Sequence, residues 1–225
     1  MVKTTDYLSV IDILKKPFYY NQLIASSASR FLPLFVSMMP ADARILDVGC
    51  GSSNVIPAGY NIVRCDVNPD YSPHVLCSAL QLPFENESFD CVVHSWVLEH
   101  LEEPAKAIEE CYHVLKPDAL LYLTTNMAWH IHEEPRDFFR FTEYGLRYIF
   151  AKSHWDILFL KATLGFWGTV TQLMAYKTAA LLSAVRLRWI HPLFTVPLQT
   201  MGLLFERKGG DTSLCAGYCV IARKL

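Results

Sequence analysis

The 225-residue sequence predicts an α/β fold: a mostly parallel sheet with helices on both faces. Three observations point there. An apolar run, Ile45-Leu46-Asp47-Val48, gives way abruptly to Gly49-Cys50-Gly51-Ser52-Ser53-Asn54, so a strand must stop and turn tightly. A second apolar run, Ile62-Val63-Arg64-Cys65, ends in Asp66, nineteen residues after Asp47. A third, around Cys91-Val92-Val93, is the continuous kind carried by a strand buried on both faces. Strand-like and helix-like stretches alternate after that, which implies right-handed crossovers.

Each element follows from local signals. Residues 8–38 read as one or two amphipathic helices, broken around Pro17. The first strand is expected over 43–48, and Pro57 and Gly59 leave a helix after it unsupported. Further strands are expected over 61–66, 74–77 and 91–93. Pro104 suits the first turn of a helix whose Ile108, Cys111 and Leu115 share one side. Lys116-Pro117-Asp118 reads as a turn before a strand over 119–124. Thr142 is the expected N-cap of a helix over 143–151. Strands over 155–161 and 217–223 complete the sheet.

The length suits one domain and is too short for two full ones. Its parts are expected as an N-terminal helical cap (1–40), a cofactor-binding core (43–162), an apolar helical insert (163–213) and the last strand (214–225). Twenty Lys and Arg stand against 22 Asp and Glu, with no basic cluster in the first 150 residues, which argues against a nucleic-acid partner. Seven cysteines without a C-x-x-C pair make neither a disulfide framework nor a zinc site, and they fit a reducing cytoplasm. The first twenty residues lack a secretory signal, and the apolar patch 32–39 is cut by Pro33.

The insert is unusual. From Ile157 through Phe205 there is no Asp or Glu, whereas Lys161, Lys177, Arg186 and Arg188 are present. Such composition suits a helix lying in an anionic membrane interface, peripheral on the inner face of the membrane. A lid over the active site and a homodimer contact are the two alternatives. A bilayer span is disfavoured because Lys177, Arg186 and Arg188 interrupt the run.

A glycine turn after one strand and an acid at the tip of the next is how α/β proteins hold an adenosine cofactor. A dinucleotide fingerprint wants a third glycine where Asn54 stands, and no Gly-Lys-Ser/Thr phosphate loop occurs near the turn. Asp47, two residues before the first glycine, would repel a pyrophosphate. It suits instead a phosphate-free, cationic ligand, and S-adenosylmethionine has an ammonium, a sulfonium and a ribose diol.

An ordered series of further motifs follows: Leu82-Pro83-Phe84, Ser88-Phe89-Asp90-Cys91-Val92-Val93-His94-Ser95, Val97-Leu98-Glu99-His100-Leu101, and Leu115-Lys116-Pro117-Asp118 before Ala119-Leu120-Leu121-Tyr122-Leu123-Thr124. With the glycine turn, this series over about residues 43–150 resembles the class I S-adenosylmethionine-dependent methyltransferases, the type 11, ubiquinone/menaquinone methyltransferase-like group. A second stretch, from His132 to Thr142, resembles the H-x-x-P-x-D-x-x-R-F-T segment of a bacterial and archaeal subset of that group. The resemblance implies a Rossmann-like seven-stranded sheet with the last strand antiparallel.

Residue roles follow by position. The backbone of Gly49, Cys50 and Gly51 should approach the cofactor, where a β-carbon would clash. Asp47 should lie near its methionine end, and Asp66, followed by Val67, should accept both ribose hydroxyls. Ser78 occupies the place where the resemblance implies an acid on the adenine amino group, with Ala79 and Leu80 flanking the ring. His94 and Ser95 should line the pocket beneath the methyl group, unless His94 is simply a satisfied structural histidine. Methyl transfer mainly needs alignment, with a general base for an oxygen or nitrogen acceptor. The loop offers His130, His132, Glu133, Glu134, Asp137 and Arg140. His132 as base, Asp137 as its orienting carboxylate and Arg140 as a clamp for an anionic group are the expected set. The alternative is an Asp137–Arg140 ion pair that merely pins the loop. His130 and His132 have the wrong spacing for a helical metal pair and no third ligand suggests itself, so no metal is expected. The expected activity is methylation of a small or lipid-linked acceptor, at oxygen ahead of carbon or nitrogen. C-methylation of a quinone-like ring and a non-catalytic S-adenosylmethionine-binding protein are the rivals.

Overall fold

The computed structural model describes residues 13–14, 23, 30–52, 55–56, 59–206 and 210–225. Its strands are β1 (Arg44–Val48), β2 (Asn61–Asp66), β3 (Val75–Leu76), β4 (Phe89–Ser95), β5 (Leu115–Asn126), β6 (Trp155–Ala162) and β7 (Gly217–Lys224). They form one seven-stranded sheet in the order β3-β2-β1-β4-β5-β7-β6. The pairs β1–β2, β1–β4, β2–β3 and β4–β5 are all parallel. The sheet is mixed and mostly parallel, as expected. Among the described residues its continuous helices are α1 (Leu32–Met38), α2 (Pro104–Val114), α3 (Glu143–Phe150), α4 (Phe166–Ala184) and α5 (Pro192–Glu206).

The central strands are buried because both faces are apolar. Ile45, Leu46, Cys91, Val92, Val93, Leu121, Tyr122 and Leu123 are all inaccessible to solvent. Chain order runs β1 to β3 outwards and then returns through β4 beside β1. That reversal between β1 and β4 is where open α/β sheets bind ligands, beyond the carboxyl ends of the strands. Thr142 caps α3 as expected, its Oγ1 accepting the Gly145 N–H at 3.1 Å.

Two differences from the sequence reading share one cause. Lys116-Pro117-Asp118 is no separate turn: it lies inside β5, where the pairing with β4 slips between Phe89 and Cys91. Asp118 takes a positive φ of 62°, so the proline and the left-handed residue form a bulge instead of ending the strand. Leu115 consequently belongs to β5 and not to α2. The expected N-terminal helices before residue 30 fall mainly outside the described residues.

The chain divides into two compact units. One comprises Leu34–Asn126, Ile131–Lys161 and Tyr218–Leu225, and it contains most of the sheet. The other comprises Met1–Pro33, Met127–His130 and Ala162–Gly217. Its described core gathers Ile13, Leu23, Leu164, Leu203 and Ala216, and α4 packs against α5. The carboxylate of Glu206, at the end of α5, accepts the Gly165 N–H (2.5 Å) and the Gly168 N–H (3.0 Å). The end of α5 therefore satisfies the start of α4, making an antiparallel helical hairpin.

Candidate active site

The sheet unit places two groups of predicted residues at the carboxyl ends of β1, β2, β4 and β5. The first is the glycine turn. Gly49 and Gly51 both have positive φ, at 67° and 52°. The N–H groups of Gly49 and Cys50 both donate to the Cys65 carbonyl, at 2.8 and 3.1 Å, which ties the turn to β2. A β-carbon on Gly49 would overlap the Val97 side chain, whereas one on Gly51 would meet open space. The close approach expected of a cofactor at Gly49 is thus made by the chain itself, and the open side lies at Gly51.

Asp66 organises this turn. Its Oδ2 accepts the Gly51 N–H and its Oδ1 the Asn68 N–H, both at 2.9 Å. A carboxylate has about four acceptor positions, so two remain for a diol. Arg64, which the sequence reading assigned no role, reaches back from β2. It donates to the carbonyls of Cys50 (3.4 Å) and Gly51 (3.2 Å), and its Nε lies 3.7 Å from Asp47 Oδ2. Asp47 is nonetheless buried enough that its carboxyl is pushed up to about 6, Arg64 opposing the shift and Asp66 adding to it. The site has an acid that ionises reluctantly, as a position awaiting a cation would.

Val67, directly after Asp66, is half exposed. Ser78 turns inward on its own loop, Oγ accepting the Leu80 N–H at 3.1 Å, while Ala79 is buried. On β4, His94 is fully buried in register with Val48 and Leu123. Neither of its ring nitrogens has a hydrogen-bond partner among the described residues. Burial pushes its pKa down to about 4, so the ring is neutral. The satisfied structural histidine weighed as an alternative is therefore not what the structure contains. Ser95 Oγ and Thr124 Oγ1 lie 2.8 Å apart at the ends of β4 and β5.

The second group is the loop after β5. Both terminal nitrogens of Arg140 donate to Asp137, at 2.6 and 2.7 Å, and hold its carboxyl well below the usual carboxylate range. Asp137 Oδ2 also accepts the His132 N–H at 3.0 Å and lies 3.5 Å from His132 Nδ1. Asp137 thus holds the His132 backbone, with the ring nearby. Arg140 corrects the expectation of an anion clamp: its fork is committed to Asp137.

Glu99 and His100, seen in the sequence only as part of a motif, complete the group. Glu99 is fully buried, accepting the Thr125 hydroxyl at 2.8 Å and the Asn126 amide at 2.5 Å. Burial pushes its carboxyl up, with its own backbone N–H, the Thr125 hydroxyl, His100 and Arg140 opposing the shift. Its carbonyl accepts the N–H groups of Phe138 and Phe139, which binds the loop to the turn after β4. His100 Nδ1 lies 2.5 Å from the Arg136 carbonyl, and the His100 and His132 rings meet edge to face at 4.7 Å. One ligand-capable atom from each of Glu99, His100 and His132 falls within 4.8 Å of the others. The sequence reading did not bring these three groups together, and such a trio can share a proton or grip a cation. His130 belongs to the helical unit, where its ring stacks on Tyr176 at 3.8 Å.

Comparison with known proteins follows the same lines. Residues 46–123 match the methyltransferase domain family. A ubiquinone biosynthesis O-methyltransferase of Xanthomonas axonopodis pv. citri is 32% identical over 105 residues, 38% of this chain and 44% of that protein. The mitochondrial ubiquinone biosynthesis O-methyltransferase of Mus musculus is 31% identical over 134 residues, 50% of this chain and 35% of that protein. The chain spans less than half the length of these curated relatives. In fold it is similar to the 1,6-didemethyltoxoflavin-N1-methyltransferase of Burkholderia thailandensis, solved with bound 1,6-didemethyltoxoflavin and S-adenosylhomocysteine. That likeness has a TM-score of 0.54 at 13% identity over 98% of this chain and 92% of the other, and it speaks for fold alone. The domain match and the relatives thus make the segment over 46–123 similar to methyltransferases, and the sheet order is that of an α/β fold.

Proposed function

We propose that this protein transfers the methyl group of S-adenosylmethionine to an oxygen of a small or lipid-linked acceptor. The observation that carries the reading is the acid-tipped glycine turn. Asp66, Gly51 and Arg64 form a rigid cradle beside Asp47, and the orphaned, neutral His94 ring lies on the strand next to it. The cofactor supplies an electrophilic methyl carbon on a sulfonium. Asp66 would hold the ribose diol with its remaining acceptor positions, and Asp47 would face positive charge. Ser78, Ala79 and Leu80 would border the adenine, and His94 and Ser95 the reacting end.

Oxygen is favoured over carbon because a proton must leave the attacking hydroxyl, and His132 is a base oriented for that step. His132 takes the proton as the oxygen attacks, and Asp137 and Arg140 keep the ring in place. Glu99 and His100 adjoin His132 and give the proton a path onward. The O-methyltransferase names of the relatives support the same choice of atom. C-methylation of a quinone-like ring, and cofactor binding without transfer, remain the rivals to test against.

Calorimetry with S-adenosylmethionine and S-adenosylhomocysteine tests the reading directly. The wild-type chain should bind both, Asp66→Ala should bind neither measurably, and His132→Ala should bind normally but lose turnover. Absence of affinity in the folded wild-type protein would overturn the proposal. Full activity in His132→Ala would remove the assigned base.

A further inference from the structure

The α4–α5 hairpin is built inside out. Apart from Leu203, its buried positions are polar or small: Thr169, Thr171 and Gln172 on α4 and Thr195 and Gln199 on α5 are all 0–1% exposed. Gly168, Ala175, Ala179 and Gly202 are buried with them. A β-carbon on Gly202 would overlap the Thr171 hydroxyl, which itself donates to the Trp167 carbonyl at 2.7 Å. Backbones can approach this closely only where side chains are small.

The outer face carries the bulk. Trp167, Met174 and Leu181 recur at seven-residue intervals along α4, and Leu193, Phe194, Met201, Leu204 and Phe205 line α5. Leu181 is 66% exposed, Trp189 68% and Leu193 72%. The rings of Trp167 and Phe205 lie 5.4 Å apart and join the two stripes into one surface. A helix pair facing water has the opposite arrangement, with its apolar stripe inward. Polar and small residues at the contact with apolar residues outside is the pattern of helices packed in lipid.

Charge supplies the second argument. The span from Ile157 to Phe205 holds no acid, while the cations Lys177, Arg186 and Arg188 are all exposed. The long stem of Lys177 allows its ammonium to rise to a headgroup while its neighbours Met174 and Leu181 stay lower. No described helix is long and apolar enough to cross a membrane. The hairpin would therefore lie along an interface.

We propose that the α4–α5 hairpin docks on an anionic lipid surface, its outer apolar face among the acyl chains and Lys177, Arg186 and Arg188 against the headgroups. This goes beyond the proposed reaction and does not depend on it. The test is flotation of the full chain with vesicles of phosphatidylcholine alone or mixed with phosphatidylglycerol, together with sedimentation analysis of its oligomeric state. The wild type should float with the mixed vesicles and at least several-fold less with the neutral ones. Leu181→Glu with Leu193→Glu should lose most of that recovery, and Arg186→Glu with Arg188→Glu should lose the preference for anionic lipid. The altered positions are exposed, so circular dichroism and cofactor binding should match the wild type. Failure of the wild-type chain to float, or equal flotation by the Leu181→Glu, Leu193→Glu variant, would overturn the proposal. A dimer broken by the same variant, without vesicle binding by the wild type, would overturn it in favour of a second copy of the chain.

Discussion

Asp47 combines burial with a cationic neighbour at 3.7 Å, and burial wins: the carboxyl is pushed up to about 6. A cationic ligand needs the ionised form. Affinity for S-adenosylmethionine should therefore rise with pH up to about 6 and then level off, falling by up to about tenfold per unit below that. Titration calorimetry between pH 5 and 8 measures it, and Asp47→Asn should flatten the profile. A pH-independent affinity in the wild type would show that Asp47 does not face the charge. The two glycines should also separate. Both positive φ angles cost a side chain about 1–2 kcal/mol, but only at Gly49 does a β-carbon also meet Val97. Gly49→Ala should lose about 1–3 kcal/mol more than Gly51→Ala in denaturant unfolding, because of that overlap. Equal losses would mean that Val97 swings aside.

The loop following β5 works as a unit held from below by Glu99. Its carboxylate receives Thr125 and Asn126, and its carbonyl receives Phe138 and Phe139. Glu99→Gln puts an amide donor where two donors already converge, so about 1–3 kcal/mol of stability should be lost, and turnover should fall with it. Comparison with Glu99→Ala by thermal unfolding and single-turnover assay separates support from chemistry. Because Glu99, His100 and His132 converge within 4.8 Å, a chelator experiment belongs at this scale too. As a proton path the trio needs no metal, and turnover should survive dialysis against EDTA. Loss of turnover restored by a divalent cation would reassign the trio as ligands. At α3, Thr142→Ala should cost about 0.5–2 kcal/mol, read from the unfolding midpoint, since the Gly145 N–H loses its acceptor.

At the level of the whole molecule, acid response and thiol chemistry follow from burial. Asp137, whose pKa is lowered by Arg140, contributes stability above its unfolded pKa of about 3.9, and that contribution is lost as pH falls below it. Asp47 has the opposite sign: its stabilising contribution is complete below its unfolded pKa and is lost as pH rises through about 6. Replacing Asp137 by Asn should therefore flatten the acid limb of the stability profile. All seven cysteines are free thiols, and six are buried, Cys77 being half-buried. Burial pushes the Cys65, Cys91, Cys111 and Cys219 thiols well up. A thiol reagent should find at most one fast-reacting group in the native protein and seven after unfolding. Several fast-reacting thiols would contradict the packing described.

What could be read from the chain alone was whatever depends on neighbours in sequence. Continuous apolar runs placed β1, β2 and β4, a threonine placed the cap of α3, and two glycines beside two acids marked the turn at Gly49 and Gly51. Periodicity did not show that Pro117 would sit in a bulge, because a bulge depends on pairing with Phe89 and Cys91. The roles of Arg64 and Glu99 were hidden for the same reason: each acts on residues at least 13 positions away. Composition marked the segment before β7 as acid-free and apolar. Only folding could decide which side chains turn inward, and at α4 and α5 it buried threonine and glutamine and left tryptophan and leucine outside. Local sequence sets strands, turns and caps through backbone sterics and short-range hydrogen bonds. Burial and charge pairing are properties of the assembled chain, and here they chose the partners of Asp47, Glu99 and His132.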